Sequence, residues 1–128
     1  MHPVPVDTNI LARLATGDVK TEHAAARKLF AGPVLILATV LLELEWVLRS
    51  VYGYSPAQFL AFTQWLSASA NVHFEHSETM HEALRLHELG FDYADALHLA
   101  AAKGQPLATF DKALLRRARK HGIAVRAL

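Results

Sequence analysis

Cysteine is absent from the chain, which excludes disulfides and thiolate metal sites and fits a reducing, cytoplasmic setting. Long apolar runs are missing too. The longest, residues 33–42, spans ten positions including Thr39, well short of the ~18 that cross a bilayer. The opening MHPVPVDTN carries no basic stretch ahead of a long apolar one, so we expect neither a secretory signal nor a membrane partner. Charged residues are sparse at 20%, against 52% apolar ones, which excludes a disordered, solvated chain. Low-complexity tracts, internal repeats and an evident linker are also lacking, and 128 residues read as one domain, 1–128.

What is present is unevenly charged. Residues 103–128 hold seven Lys and Arg against one acid, Asp111, while residues 1–102 hold six against eleven. An acidic body with a basic tail fits a polyanionic partner, but charge alone favours a solvated helix whose cations complement its dipole.

Short apolar runs of strand length alternate with capped stretches of helical period. The pattern predicts strands over 4–6, 34–38, 71–75, 106–109 and 123–125. It predicts helices over 9–15, 21–30, 39–49, 56–69, 77–89, 92–103 and 112–120. Gly17, Gly32-Pro33, Gly90, Gly104 and Gly122 are read as stops, and Thr39, Ser77 and Asp92 as caps. Ser55-Pro56-Ala57-Gln58 combines a cap serine, proline at the first helical position and a capping-box glutamine. Five strands separated by helices indicate an α/β fold with a mainly parallel sheet. Pro3 and Pro5 sit badly in this scheme, since each removes a ladder donor from the first strand. The 56–69 helix is apolar around most of its girth (Phe59, Leu60, Ala61, Phe62, Trp65, Leu66). It belongs in the core or beneath a partner, and we expect the partner.

Four carboxylates recur at equivalent places. Asp7 follows the first strand, Glu43 lies early in the helix after the second, Asp95 one turn into its helix, and Asp111 just beyond the fourth strand. The carboxyl ends of strands are where open α/β sheets build sites. Each acid alone is explained as a cap or a first-turn anion. Glu43 and Asp95, however, are embedded in Leu41-Leu42-Glu43-Leu44 and Ala94-Asp95-Ala96-Leu97, where an unpaired carboxylate is costly. A gathered set of oxygen ligands would need a hard divalent cation, Mg²⁺ or Mn²⁺, and would point to phosphoryl chemistry. His73, His76, His81 and His87 lack the i, i+4 spacing of a zinc-binding helix and read as scattered.

Val6-Asp7-Thr8-Asn9-Ile10-Leu11, Glu43-Leu44-Glu45-Trp46-Val47-Leu48, Asp95-Ala96-Leu97-His98-Leu99-Ala100 and Thr109-Phe110-Asp111-Lys112 occur in that order. In these stretches the chain resembles the PIN-domain ribonucleases, most closely the VapC-type toxins of toxin–antitoxin pairs. The resemblance implies a three-layer α/β/α domain with a central, mainly parallel sheet of about five strands. It implies a metal-dependent endoribonuclease with an acidic set matching Asp7, Glu43, Asp95 and Asp111, and Mg²⁺ or Mn²⁺ as cofactor. It further implies a homodimer and inhibition by a cognate antitoxin protein. Asn9 and Thr109 resemble the polar neighbours of that set, and His98 a supporting residue. With RNA as substrate, Lys112, Arg116, Arg117, Arg119 and Lys120 become candidates for RNA contact. Alternatives are a non-catalytic PIN-like module binding RNA or protein, and a solitary RNA-processing nuclease. A haloacid-dehalogenase-type phosphatase would need an acid at position 9, where Asn9 stands.

Overall fold

The computed structural model describes residues 2–128. Its elements run β1 (Val4–Val6), α1 (Thr8–Thr16), α2 (Lys20–Leu29), β2 (Val34–Ile36), α3 (Ala38–Ser50), α4 (Pro56–Ser67) and β3 (Val72–Phe74), followed by α5 (Ser77–Glu88), α6 (Tyr93–Ala101), β4 (Leu107–Thr109), α7 (Lys112–Lys120) and β5 (Val125–Ala127). The alternation expected of an α/β fold is therefore present, with five strands and seven helices among the described residues. Every strand pairing is parallel, and the strands form a sheet ordered β1-β2-β3 and a pair β4-β5. No helix is long and apolar enough to cross a membrane among the described residues.

The chain divides into two compact units, Met1–Ser77 and Glu78–Leu128. In the first, β2 is the middle strand. Val34 and Ile36 are fully buried, as parallel strands sandwiched by helices tend to be. Leu11 of α1, Leu41, Leu44 and Leu48 of α3, and Phe59 and Leu66 of α4 are buried as well. Their spacing of three, four and seven is the apolar stripe of a core-facing helix. In the second unit the buried set is Met80, Ala83 and Leu86 of α5, Phe91, Tyr93 and Ala96, and Leu114, Leu115 and Ala118 of α7.

The prolines of β1 are accommodated by strand geometry. Val4 donates its N–H to the Pro33 carbonyl at 3.0 Å. Alternate residues of a strand donate to the same side, so Pro3 and Pro5 fall where a donor would point away from β2.

Local signals set most helix ends. Gly17 closes α1 at φ 64°, a left-handed conformation that glycine adopts without a Cβ clash. The Ser55 capping box is complete: Gln58 N–H donates to the Ser55 hydroxyl and Ser55 N–H donates to the Gln58 side chain. Thr39 does not cap α3, contrary to expectation. The helix starts at Ala38, and its first N–H donates instead to Glu75 Oε1 at 2.9 Å, from just past β3. A carboxylate there also complements the helix dipole. Glu75→Ala is expected to lower stability by about 1 kcal/mol, as for other caps removed by substitution, measured by urea unfolding. The last strand is likewise displaced: β5 runs from Val125, two residues beyond the expected start at Ile123.

Helix α4 buries one face, Phe59, Thr63 and Leu66. Trp65 is 59% exposed and stacks on Phe62 with ring centroids 5.9 Å apart. Trp46 on α3 is also more than half exposed, so neither tryptophan is a core residue.

Candidate functional site

Asp7 is the N-cap of α1. Its Oδ1 accepts from Asn9 N at 2.9 Å and more weakly from Ile10 N at 3.4 Å. Both bonds use one oxygen, which leaves Oδ2 outside the cap. Thr8, the first residue of α1, is buried and donates its hydroxyl to Glu43 Oε1. That bond ties the start of α1 to α3 across 35 residues of sequence. Asp7, Thr8, Asn9, Glu43 and Val47 line a hollow of about 220 Å³. The first unit thus places Asp7, Asn9 and Glu43, with Thr8, around one hollow. Sequence reasoning missed Thr8 as the hydrogen-bond partner of Glu43. The signal available was its place between two candidate residues, where a short hydroxyl side chain on the inward face of a helix start can reach a neighbouring carboxylate.

Burial on α3 differs from the sequence expectation. Glu43 is exposed and hydrogen-bonded, whereas Glu45, two residues on, is 6% exposed. Glu45 is compensated by Arg49 one turn along, at 2.8 Å and 3.4 Å. The costly buried carboxylate of this helix is therefore Glu45, and its cation comes from the same helix.

A second network fixes α1 from its other end. The Arg13 guanidinium donates to Glu22 Oε1 at 2.7 Å and to the Tyr52 hydroxyl at 3.0 Å, and lies 3.4 Å from Asp18. Tyr52 and Thr16 hydroxyls both donate to Asp18. The Thr16 and Tyr52 bonds, then the Arg13 charge, hold the Asp18 carboxyl below its ordinary value. The network joins α1 and α2 to the segment after α3 and so steadies the helix that carries Asp7.

The second unit gathers the other acids. Asp92 caps α6 by accepting from Asp95 N at 3.3 Å. Asp95 therefore occupies the third helical position, half-buried. Burial, then the charges of Asp92 and Asp111, push its carboxyl above the ordinary aspartate value, while the exposed His98 opposes the shift. Asp111 caps α7, accepting from Leu114 N at 3.0 Å through Oδ1, and its own N–H donates to Thr109 Oγ1 at 3.0 Å. Thr109 thereby orients the backbone that carries Asp111. Asp7, Asp92 and Asp111 are all caps, yet each cap occupies one oxygen only.

The cations of α7 divide. Leu114, Leu115 and Ala118 face inward and all five cations are exposed, with Lys112, Arg116, Arg119 and Lys120 following at spacings of four, three and one. Lys112, Arg116 and Arg119 form one stripe down the helix, with Lys120 beside its end. Arg117 lies off it: its guanidinium sits 5.9 Å over the Phe91 ring, and its Nη1 stands 2.5 Å from where a Cβ on Gly90 would be. Gly90 holds φ 105° and leaves that space open. Of the histidines, His87 is buried with Nδ1 2.7 Å from the Phe91 carbonyl, and His73, His76 and His81 are exposed.

The PIN domain family matches residues 4–120, and the chain belongs to that family. PIN domains are generally nucleases, commonly acting on RNA, and typically bind divalent metals. No curated protein matches the chain closely enough to count as a relative. The acids of both units supply hard oxygen donors of the kind Mg²⁺ and Mn²⁺ prefer, and the repulsion felt by Asp95 is of the kind a cation relieves. Among the described residues no group of three or more His, Asp or Glu side chains is arranged to hold a metal ion.

Proposed function

We propose that this protein is a divalent-metal-dependent endoribonuclease, the toxin of a toxin–antitoxin pair. The observation that carries the reading is the PIN-family match over residues 4–120, and the half-buried Asp95, its pKa raised by burial and by the charges of Asp92 and Asp111, is a carboxylate that a cation would stabilise. In this reading Asp7 and Asp95 would be the principal ligands, and Glu43 and Asp111 would hold the ion's waters or a second ion. When bound, Mg²⁺ or Mn²⁺ supplies a Lewis acid for a phosphoryl oxygen and acidifies water for in-line attack. The Thr8 hydroxyl fixes the rotamer of Glu43, and Asn9 flanks Asp7 at the mouth of their hollow. Thr109 sets the backbone of Asp111. Lys112, Arg116, Arg119 and Lys120 draw the RNA backbone toward a surface that is otherwise acidic, and Arg117 steadies α7 from beside Phe91.

Homodimer formation is part of the proposal, and the exposed Trp46, Val51 and Trp65 of the first unit support it. The antitoxin rests on the VapC-like order of the four motifs. A short reading frame beside the gene, whose product copurifies with this chain and stops its cleavage, would establish it.

The purified protein is expected to cut RNA internally in Mg²⁺ or Mn²⁺ and to stop in EDTA. Absence of cleavage with either metal would contradict the proposal, as would cleavage that EDTA leaves untouched. Reversing two stripe charges, Lys112→Glu with Arg116→Glu, is expected to weaken RNA binding. The slope of log affinity against log salt should fall by about 1.4, which is ~0.7 for each single-strand phosphate that the variant no longer neutralises. An unchanged slope would return α7 to a solvated face.

A further inference from the structure

The side chain between Thr109 and Asp111 has no role in the chemistry above. Phe110 is 78% exposed, a larger fraction than any other exposed large apolar side chain among the described residues. Its backbone is nevertheless held firmly on both sides. Thr109 accepts at its carbonyl from Leu128 N at 3.3 Å, and Asp111 is bound both to Thr109 Oγ1 and to the first turn of α7. The ring is thus exposed on a backbone that its neighbours hold in place. Asp111 follows it directly, and the cationic stripe of α7 begins at the next residue, Lys112.

From this juxtaposition we infer that Phe110 stacks on an unpaired nucleobase next to the cleaved phosphate and so helps to position the strand. The inference rests on the ribonuclease reading and adds a substrate-positioning residue outside the acidic set. An aromatic face binds a base of any identity once the base is out of a helix, while cations alongside hold the backbone. Bases inside a duplex offer no such face, because their neighbours cover them. A protein partner is less well matched. Apolar docking needs several hundred Å² of continuous apolar surface, and the residues that follow Phe110 are an aspartate and a lysine.

The test uses the full chain with one short RNA prepared as an unstructured strand and as a duplex. Binding is measured in EDTA, and kcat and KM in Mg²⁺. Phe110→Ala is expected to weaken single-strand binding about 5- to 150-fold, the span of removing one base–aromatic stack. Duplex binding should stay unchanged. Phe110→Leu should behave like alanine, because it keeps apolar area and loses the π face. Phe110→Trp should bind as tightly as wild type and show added fluorescence quenching on the single strand.

If the wild type cuts RNA in a metal-dependent way while Phe110→Ala keeps wild-type KM and single-strand affinity, the stacking role is overturned and the ribonuclease reading stands. If Phe110→Ala instead alters self-association at unchanged RNA affinity, the ring is a protein contact and the inference is again overturned. If the wild type neither binds nor cuts any RNA, both fall together.

Discussion

Asp7→Asn is expected to lower Mg²⁺-dependent RNA cleavage at least ~10²-fold while leaving the protein folded. Metal-ion stabilisation of a transition state is worth several kcal/mol, and each 1.4 kcal/mol is a tenfold change in rate. Asparagine keeps the shape and can still accept from Asn9 N and Ile10 N, so the cap of α1 survives. Asn and Asp are about equal as caps, and the unfolding free energy should stay within about 1 kcal/mol of wild type. What asparagine loses is the negative charge on the oxygen that the cap leaves over. Asp7→Ala would lose cap and ligand together and would not separate the two. Chemical denaturation run beside the cleavage assay makes the distinction. Activity within twofold of wild type would remove Asp7 from the chemistry.

Asp95→Asn should likewise abolish cleavage, but its stability signature is different. Burial, Asp92 and Asp111 raise the carboxyl of Asp95 in the folded protein, so the native state binds that proton more tightly than the unfolded chain does. Stability is therefore at its fullest below the unfolded aspartate value of about 3.9, and is lost as pH climbs through the higher folded value. At neutral pH, in EDTA, Asp95→Asn is expected to be more stable than wild type, and the two should converge in acid. Mg²⁺ reverses the order. A ligand at a hundredfold its dissociation constant adds about 2.7 kcal/mol to the form that binds it, which here is the wild type. Thermal melts from pH 3 to 8, with EDTA and with Mg²⁺, test both halves. A variant less stable than wild type in EDTA at pH 7 would show that Asp95 is a structural anion.

Local rules made much of the fold legible. The Ser55 box, the left-handed Gly17 and the Asp92 and Asp111 caps act within three or four residues, and each is where the sequence puts it. The failures involve partners distant in the chain. The cap of α3 comes from Glu75, 37 residues away, and no pattern around Thr39 announces it. On α3 the apolar neighbours of Glu43 pointed to burial. Yet successive helical positions point 100° apart, and it is Glu45 that turns inward, with Arg49 one turn on. Thr8 was invisible for the same reason: its bond to Glu43 is a tertiary fact. The aspartates themselves were legible as types and positions because helix starts demand such residues, which is also why capping alone could not distinguish a cap from a ligand. In the structure Asp7 and Asp111 are caps that leave an oxygen over.

The central claim is that Asp7 and Asp95 serve one ion-dependent reaction. The most direct measurement is a double-mutant cycle of single-turnover RNA cleavage in Mg²⁺ for wild type, Asp7→Asn, Asp95→Asn and the pair. Groups that act as a unit are strongly non-additive, so the double variant should be no slower than the slower single one. Losses that multiply, or one aspartate whose removal leaves the rate at wild-type level, would contradict the account.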